Sequence, residues 1–357
     1  MGPLKGIKVV ELSGIGPAPF AAMVLADLGA DVVRIVRPGT PVDPADVLSR
    51  NRPTVEVDIR SVQGQADVLG LTAKADILIE GFRPGVMEKN HLGPVECHAV
   101  NPRLVYGRMT GWGQTGPLAP AAGHDINYIA LTGALHSIGR PGEAPPPPVN
   151  YVGDFGGGGM LLLVGVLAAL HEVTRSGAGQ VIDAAMTDGT TLLTSFIHGL
   201  RAMGHWGNKP GSNLLDGAAP FYDTYRCADG RFVAIGAIEP QFYQQLRTLC
   251  GLEDSLFAEQ MNCSKWPSQK QAMAEIIASR SRDEWCTLLE GTDVCFAPVL
   301  DWEEAPQHAH NQARETFLTV GGVVQPAPAP RFSRTSPATP QPARASSLGQ
   351  VLQSWSS

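Results

Sequence analysis

Two short stretches carry residue types able to move a proton. AGHDINY (122–128) sets His124 beside Asp125, Asn127 and Tyr128 just ahead of an apolar run, and YVGDFGGGG (151–159) sets Asp154 ahead of four glycines. A helix is expected to begin near Asp125, and another to follow Asp154. An imidazole and a carboxylate can face each other across one carbon, one removing a proton while the conjugate acid of the other returns one to the opposite face. Unsatisfied amides at the start of the 125 helix would point at incoming negative charge. The glycines would let backbone approach a ligand without Cβ collisions. Each residue alone has a plainer account. His124 could be a satisfied, half-buried imidazole, and Asp154 could cap the helix after it. Asp125 reads as such a cap, and Asn127 and Tyr128 as local hydrogen bonding and packing. His98, His136, His171, His198, His205, His308 and His310 have no comparable context.

The elements that must position these residues follow a regular beat. IKVVEL (7–12) is a β-branched run, GIGPAP a turn, PFAAMVLADLG (19–29) has helical spacing closed by glycine, and ADVVRIVRPG brings another strand. Strand, helix and strand within about 30 residues make a βαβ unit, so a parallel sheet begins here. PTVEVDI (53–59), GQADVLGLTAKA, DILIEGF and PRLVYGRMTG continue the alternation. The fold class is α/β, with a Rossmann-like open parallel sheet. The dinucleotide fingerprint is missing: the first turn reads SGIGPAPF, and the second strand ends in Arg37, where an NAD enzyme usually has an acidic ribose ligand. Ligands of such sheets bind beyond the carboxyl ends of the strands, where Arg37, Asp58–Arg60 and Gly81–Arg83 all fall. Any one of these arginines could be a solvated loop charge. Three at equivalent strand ends favour a phosphate-bearing ligand.

At 357 residues the chain exceeds the roughly 250–300 residues of a single core, so two domains are expected. Hydrophobic residues make up 43% and charged residues 17%, which suits a packed enzyme. The net charge of −7 and the lack of a Lys/Arg block speak against nucleic acid and against a membrane surface. Six cysteines show neither CxxC pairing nor zinc spacing and read as free thiols of a reducing compartment. No secretory pattern opens the chain, and MLLLVGVLAAL (160–170) is shorter than the ~20 residues that span a bilayer. A cytoplasmic location is expected. RPGEAPPPPVN (140–150) reads as a stiff connection, FYDTYRCADGRFVAIGAI as a hairpin opening a smaller α+β domain, and the Pro-rich segment after 325 as a tail draped on a surface. The expected division is 1–186 large domain, 187–221 linker, 222–302 small domain, 303–312 linker and 313–357 tail.

AGHDINY, YVGDFGGGG, GQVIDAAMTDG, LLDGAAPFYDTY and VAIGAIEPQFY, in that order, resemble the α-methylacyl-CoA racemases of the family III CoA-transferase superfamily. The resemblance runs from VVELSGIGPAPFAAMVLADLGADVVRI to TDVCFAPVL. It implies a large Rossmann-like domain that takes back the C-terminal tail, and two chains interlocked like links. Each site would lie between the large domain of one chain and the small domain of the other. It implies that His124 and Asp154 are the acid/base pair and that Glu239 orients the imidazole. It implies coenzyme A contacts at Arg37, at Val57, Asp58, Ile59 and Arg60, at Gly81, Phe82 and Arg83, at Lys89, and along Gly123, His124, Asp125, Ile126, Asn127 and Tyr128. One departure is MEKNHLG, where the family more often has an apolar residue and glycine before LG.

The implied reaction is racemisation of a 2-methylacyl-CoA thioester at C2 through an enolate. Coenzyme A enters as part of the substrate, with no metal and no further cofactor. Two other readings stay open on the residues alone. A family III CoA-transferase would use Asp154 as an acyl-accepting nucleophile. A CoA-thioester binding protein would need the strand-end arginines without a complete acid/base set.

Overall fold

The computed structural model describes residues 2–355. Six parallel strands open the chain: β1 (Lys8–Leu12), β2 (Asp31–Val36), β3 (Pro53–Glu56), β4 (Ile77–Glu80), β5 (Val105–Thr110) and β6 (Gln180–Ala185). Their valines and isoleucines alternate between two cores, as the two-residue period of a strand requires. Val9, Ile77, Ile79 and Val105 face the helices Pro17–Asp27 and Met160–Ser176. Val10, Leu78 and Tyr106 face the helix Val62–Thr72 and the terminal helix Leu348–Ser354. Covered on both faces, β4 and β5 are buried along their whole length.

The chain divides into two compact units, Met1–Ala134 with Pro147–Thr194 and Glu315–Ser357, and Leu135–Pro146 with Ser195–Arg314. The helix Met186–Leu193 therefore belongs to the first unit. The Pro-rich 140–150 stretch is shared, its first part grouping with the second unit. That unit holds an antiparallel sheet of β7 (Tyr222–Arg226), β8 (Phe232–Gly236) and β9 (Phe296–Val299). Gly230, at φ 82°, makes the expected hairpin turn. Helices Pro240–Cys250, Trp266–Ile277 and Arg282–Leu289 pack on it around Tyr243, Trp266 and Trp285. Arg140 grips Asp223 of β7 with two bonds of 2.8 Å, so the crossing segment is held rather than loose.

The tail does more than drape. It forms a hairpin of β10 (Phe317–Val320) and β11 (Val323–Pro326), then β12 (Arg344–Ala345), which pairs in parallel with β3. The seven-stranded order is β12-β3-β2-β1-β4-β5-β6. Val351 and Trp355 are buried in the core beneath. Arg50 fastens this return: it donates to Asp27 (3.1 Å), to Gln325 (2.9 Å) and to the carbonyl of Pro326 (2.7 Å).

The glycines after Asp154 have a different use from the one expected. Tyr151–Gly159 is π-helical and runs straight into Met160–Ser176, giving a continuous helix of 26 residues. By length and composition it could cross a bilayer, yet Leu162, Leu163, Val166, Ala169 and Val173 line one core-facing side. Gly157 crosses Gly189 of the helix Met186–Leu193 so closely that a Cβ on Gly189 would stand 1.8 Å from the Gly157 carbonyl oxygen. The glycines bring helices, not a ligand, against the Asp154 turn.

Four outcomes follow for stability. Gly157→Ala places its methyl 2.6 Å from the Thr190 nitrogen and should cost about 1–3 kcal/mol. Gly70→Ala, with nothing within 4 Å on an exposed helix position, should instead stabilise by about 0.5–1 kcal/mol. Arg50→Ala strands the buried Asp27 carboxylate and should cost about 3–5 kcal/mol. Arg50→Lys should recover only part of that, since an ammonium lacks the guanidinium fork. Urea midpoints test all four, and equal midpoints for both glycine variants would contradict the crossing.

Candidate active site

The strand order reverses direction at β1, which has β2 on one side and β4 on the other. The loops leaving β1 and β4 part there and open a crevice at the carboxyl edge of the sheet. A cleft of about 620 Å³ occupies it, lined by Gly16, Arg83, Trp112, His124, Asp125 and Asp154 among others, all in the first unit. His124 and Asp154 thus share one cavity, on segments that follow β5 and precede β6 in sequence.

His124 is the N-cap of the helix Asp125–Ala130, in extended backbone conformation. The side chain of Asn127 turns back to accept from the His124 amide (3.1 Å). Tyr128, four residues on, donates its hydroxyl to the Gly123 carbonyl and packs edge-on against Trp112 with centroids 4.7 Å apart. These contacts hold the imidazole at the cleft with its ring exposed. The roles expected for Asn127 and Tyr128 are those observed. Asp125 is different. It is the first residue of the helix rather than its cap, and its buried carboxylate accepts from the Asp154 amide at 2.7 Å.

Asp154 caps no helix either. It sits inside the π-helical turn, where Phe155 donates to the Asn150 carbonyl five residues back. Its carboxylate accepts from Asn150 Nδ2 (3.0 Å) and lies against Gly16, at the start of the Pro17 helix. Burial raises its affinity for a proton above the ordinary aspartate range. The Asn150 hydrogen bond opposes this, the charge of Asp125 reinforces it, and His124 opposes it.

The loop after β4 is braced from below. Glu80 accepts from the Phe82 amide (2.7 Å) and from Arg108 Nε (3.0 Å), and Arg108 forks onto Glu88 at 2.7 and 3.2 Å. Burial pushes Glu80 up to about 7 despite those donors. Under the neighbouring loop, Glu11 and Arg52 form a fully buried pair at 2.6 Å, and Arg52 also donates to the Pro19 carbonyl (3.2 Å).

Of the other expected ligand contacts, Gly81, Phe82, Arg83, Gly123 and Tyr128 line the cleft. Arg37, Val57, Asp58, Ile59 and Arg60 lie beyond the carboxyl ends of β2 and β3, on the same edge of the sheet but outside the cleft lining. Arg37 and Arg60 are exposed, and Arg60 is engaged with Asp58 at 3.1 Å. Lys89 ends the short helix Val86–Lys89 and is exposed, as are Ile126 and Asn127. Glu239 belongs to the second unit, where it precedes the helix Pro240–Cys250. Asn150 and Trp112 escaped the sequence reading. Asn150 stands four residues before Asp154, a spacing that could have flagged it; Trp112 carried no local signal. Among the described residues, no group of three or more His, Cys, Asp or Glu could hold a metal ion.

Comparisons with known proteins bear on the chain as a whole. The family described as CoA-transferase family III matches residues 4–350. Alpha-methylacyl-CoA racemase of Mus musculus is 48% identical over 348 residues, covering 97% of this chain and 91% of its own. The Homo sapiens protein of the same name is 47% identical with the same coverage. Among solved structures, a CAIB/BAIF family protein from Brucella suis superposes with a TM-score of 0.82 at 26% identity, over 99% of both chains. With its seven-stranded parallel sheet, its smaller antiparallel sheet and matches along nearly its whole length, the chain belongs to the CoA-transferase family III.

Proposed function

We propose that the protein is a racemase interconverting the (2R) and (2S) forms of 2-methylacyl-CoA thioesters by 1,1-proton transfer. One observation carries the reading: His124 and Asp154 line a single cleft at the switch point, and burial shifts the carboxyl toward holding its proton. The relatives named alpha-methylacyl-CoA racemase support it. A C2 hydrogen is acidified by the thioester carbonyl, which takes up charge as the enolate forms. One of the pair removes that hydrogen while the other, protonated, delivers to the opposite face. Each direction needs one partner protonated and the other not, so a carboxyl with raised proton affinity is suited to both states. Proton transfer by a positioned group contributes about 10²–10⁴ in rate. Amides at the start of the Asp125 helix would meet the enolate oxygen.

The carrier would run along the carboxyl edge of the sheet. Arg37, Arg60, Arg83 and Lys89 offer cationic contacts for its phosphates, and the 57–60, 81–83 and 123–128 segments offer backbone. Interlocking of two copies would bring Glu239 of one chain to His124 of the other. Exposed apolar side chains on the first unit, among them Met160, Val164, Leu192 and Leu193, support a large interface of this kind. All six cysteines are free thiols, which supports a reducing, cytoplasmic setting.

In deuterated water, wild-type protein should place deuterium at C2 of branched-fatty, steroid-side-chain or aryl-propionyl thioesters starting from either epimer. His124→Ala should lower that exchange by about 10²–10⁴-fold. Labelled CoA that migrates to a second acid without epimerisation would replace racemisation by transfer. In the direction where Asp154 is the base, kcat/KM should fall as pH drops through its pKa, at a pH above the usual aspartate value near 3.8. Asp154→Asn should remove that limb. Sedimentation should give twice the chain mass, and Val164→Asp should shift it toward the single chain.

A further inference from the structure

The mechanism needs Asp154 but assigns nothing to the side chain of Asp125, a buried carboxylate between the two reacting groups. Its Oδ2 accepts from the Asp154 amide at 2.7 Å, and its Oδ1 is buried with no partner among the described residues. The backbone opposite is shaped to admit it. A Cβ on Gly153 would stand 2.5 Å from that Oδ2 and 2.8 Å from the carboxyl carbon, so only glycine permits the approach. The bond joins positions 29 residues apart and makes one body of the His124 helix and the Asp154 turn.

We propose that Asp125 is a positioning residue: its carboxylate locks the two proton-transfer groups to each other and keeps a negative charge beside the carboxyl of Asp154. This rests on the racemase reading and deepens it. A neutral acceptor would make the same hydrogen bond, so the charge has a separate consequence. It favours the protonated form of Asp154. The other groups facing that carboxyl are Asn150 from the start of its own turn and His124 and Tyr128 from the Asp125 segment. The Pro17 helix meets it with Gly16, and Asp188 of the helix Met186–Leu193 is exposed. Among the described residues, Asp125 is the buried carboxylate that faces the turn. Leaving a carboxylate oxygen buried without a donor costs stability, which a purely structural hydrogen bond would not require.

Three variants separate geometry from charge. Asp125→Asn keeps an oxygen for the Asp154 amide and removes the charge. The ¹³C carboxyl resonance of Asp154, assigned with Asp154→Asn, should then titrate at lower pH than in the wild type, without any substrate present. The low-pH limb of C2 exchange should move the same way, with KM for the thioester changed less than about twofold, because the acceptor geometry is kept. Asp125→Ala and Gly153→Ala break or displace the clamp and should lower kcat by about 100-fold, the usual scale for an ångström of misplacement. Circular dichroism and the urea midpoint establish that each variant is folded, and Asp125→Asn should unfold no earlier than wild type. An Asp154 titration that stays put in Asp125→Asn overturns the proposal, as does a folded Gly153→Ala with wild-type exchange. A wild-type protein inactive on every thioester, but with the Asp154 resonance shifted in Asp125→Asn, would sink the racemase reading and leave the clamp standing.

Discussion

The site depends on one hydrogen bond, from the backbone of Asp154 to the carboxylate of Asp125. It ties the segment that carries the His124 imidazole to the turn that carries the Asp154 carboxyl, two excursions from the sheet that are far apart in sequence. Reactions at carbon require reacting atoms held near contact distance, and loops do this poorly unless they brace one another. Here the brace is short and made to a main-chain amide, so the Asp154 side chain is left free to face the cleft.

Much of the remaining architecture delivers those segments to one place. The reversal of strand order at β1 opens the crevice. Helix crossings at Gly157 and Gly189 press the π-helical turn down upon it. Two buried ion pairs stiffen the loops on either side: Glu11 with Arg52, and Glu80 with Arg108. Such pairs contribute little net stability, because desolvation offsets their attraction. They fix the direction of a backbone that has to meet a ligand. At Glu80 this is direct, since the same carboxylate holds the Phe82 amide of the cleft loop.

The sheet was legible because its strands are apolar runs with β-branched residues, and because fully buried parallel strands have few other sequence patterns. His124 and Asp154 were legible as unlike titratable groups at expected helix starts. Other features were not. β12 is two residues long, and nothing in Arg344–Ala345 announces a strand until β3 is beside it. The glycine run after Asp154 suggested room for a ligand, but the crossing helices fill that space. Asp125 had the local signature of a cap, yet its partner lies 29 residues further on. The 140–150 stretch read as a connection, although its first part, as far as Pro146, packs as part of the second unit.

By itself the sequence determined the alternation of strands and helices, the strand ends at which arginines gather, and the pair of groups able to exchange a proton. These follow from local periodicity and residue chemistry, which act over a few positions along the chain. Only the tertiary structure decided that the pair shares one cavity, that Asp125 ties its halves together, and that Asp154 is buried enough to hold a proton more tightly than usual. Burial and hydrogen-bond partnership are properties of neighbours in space. Those neighbours come from distant parts of the chain, so no short stretch encodes them.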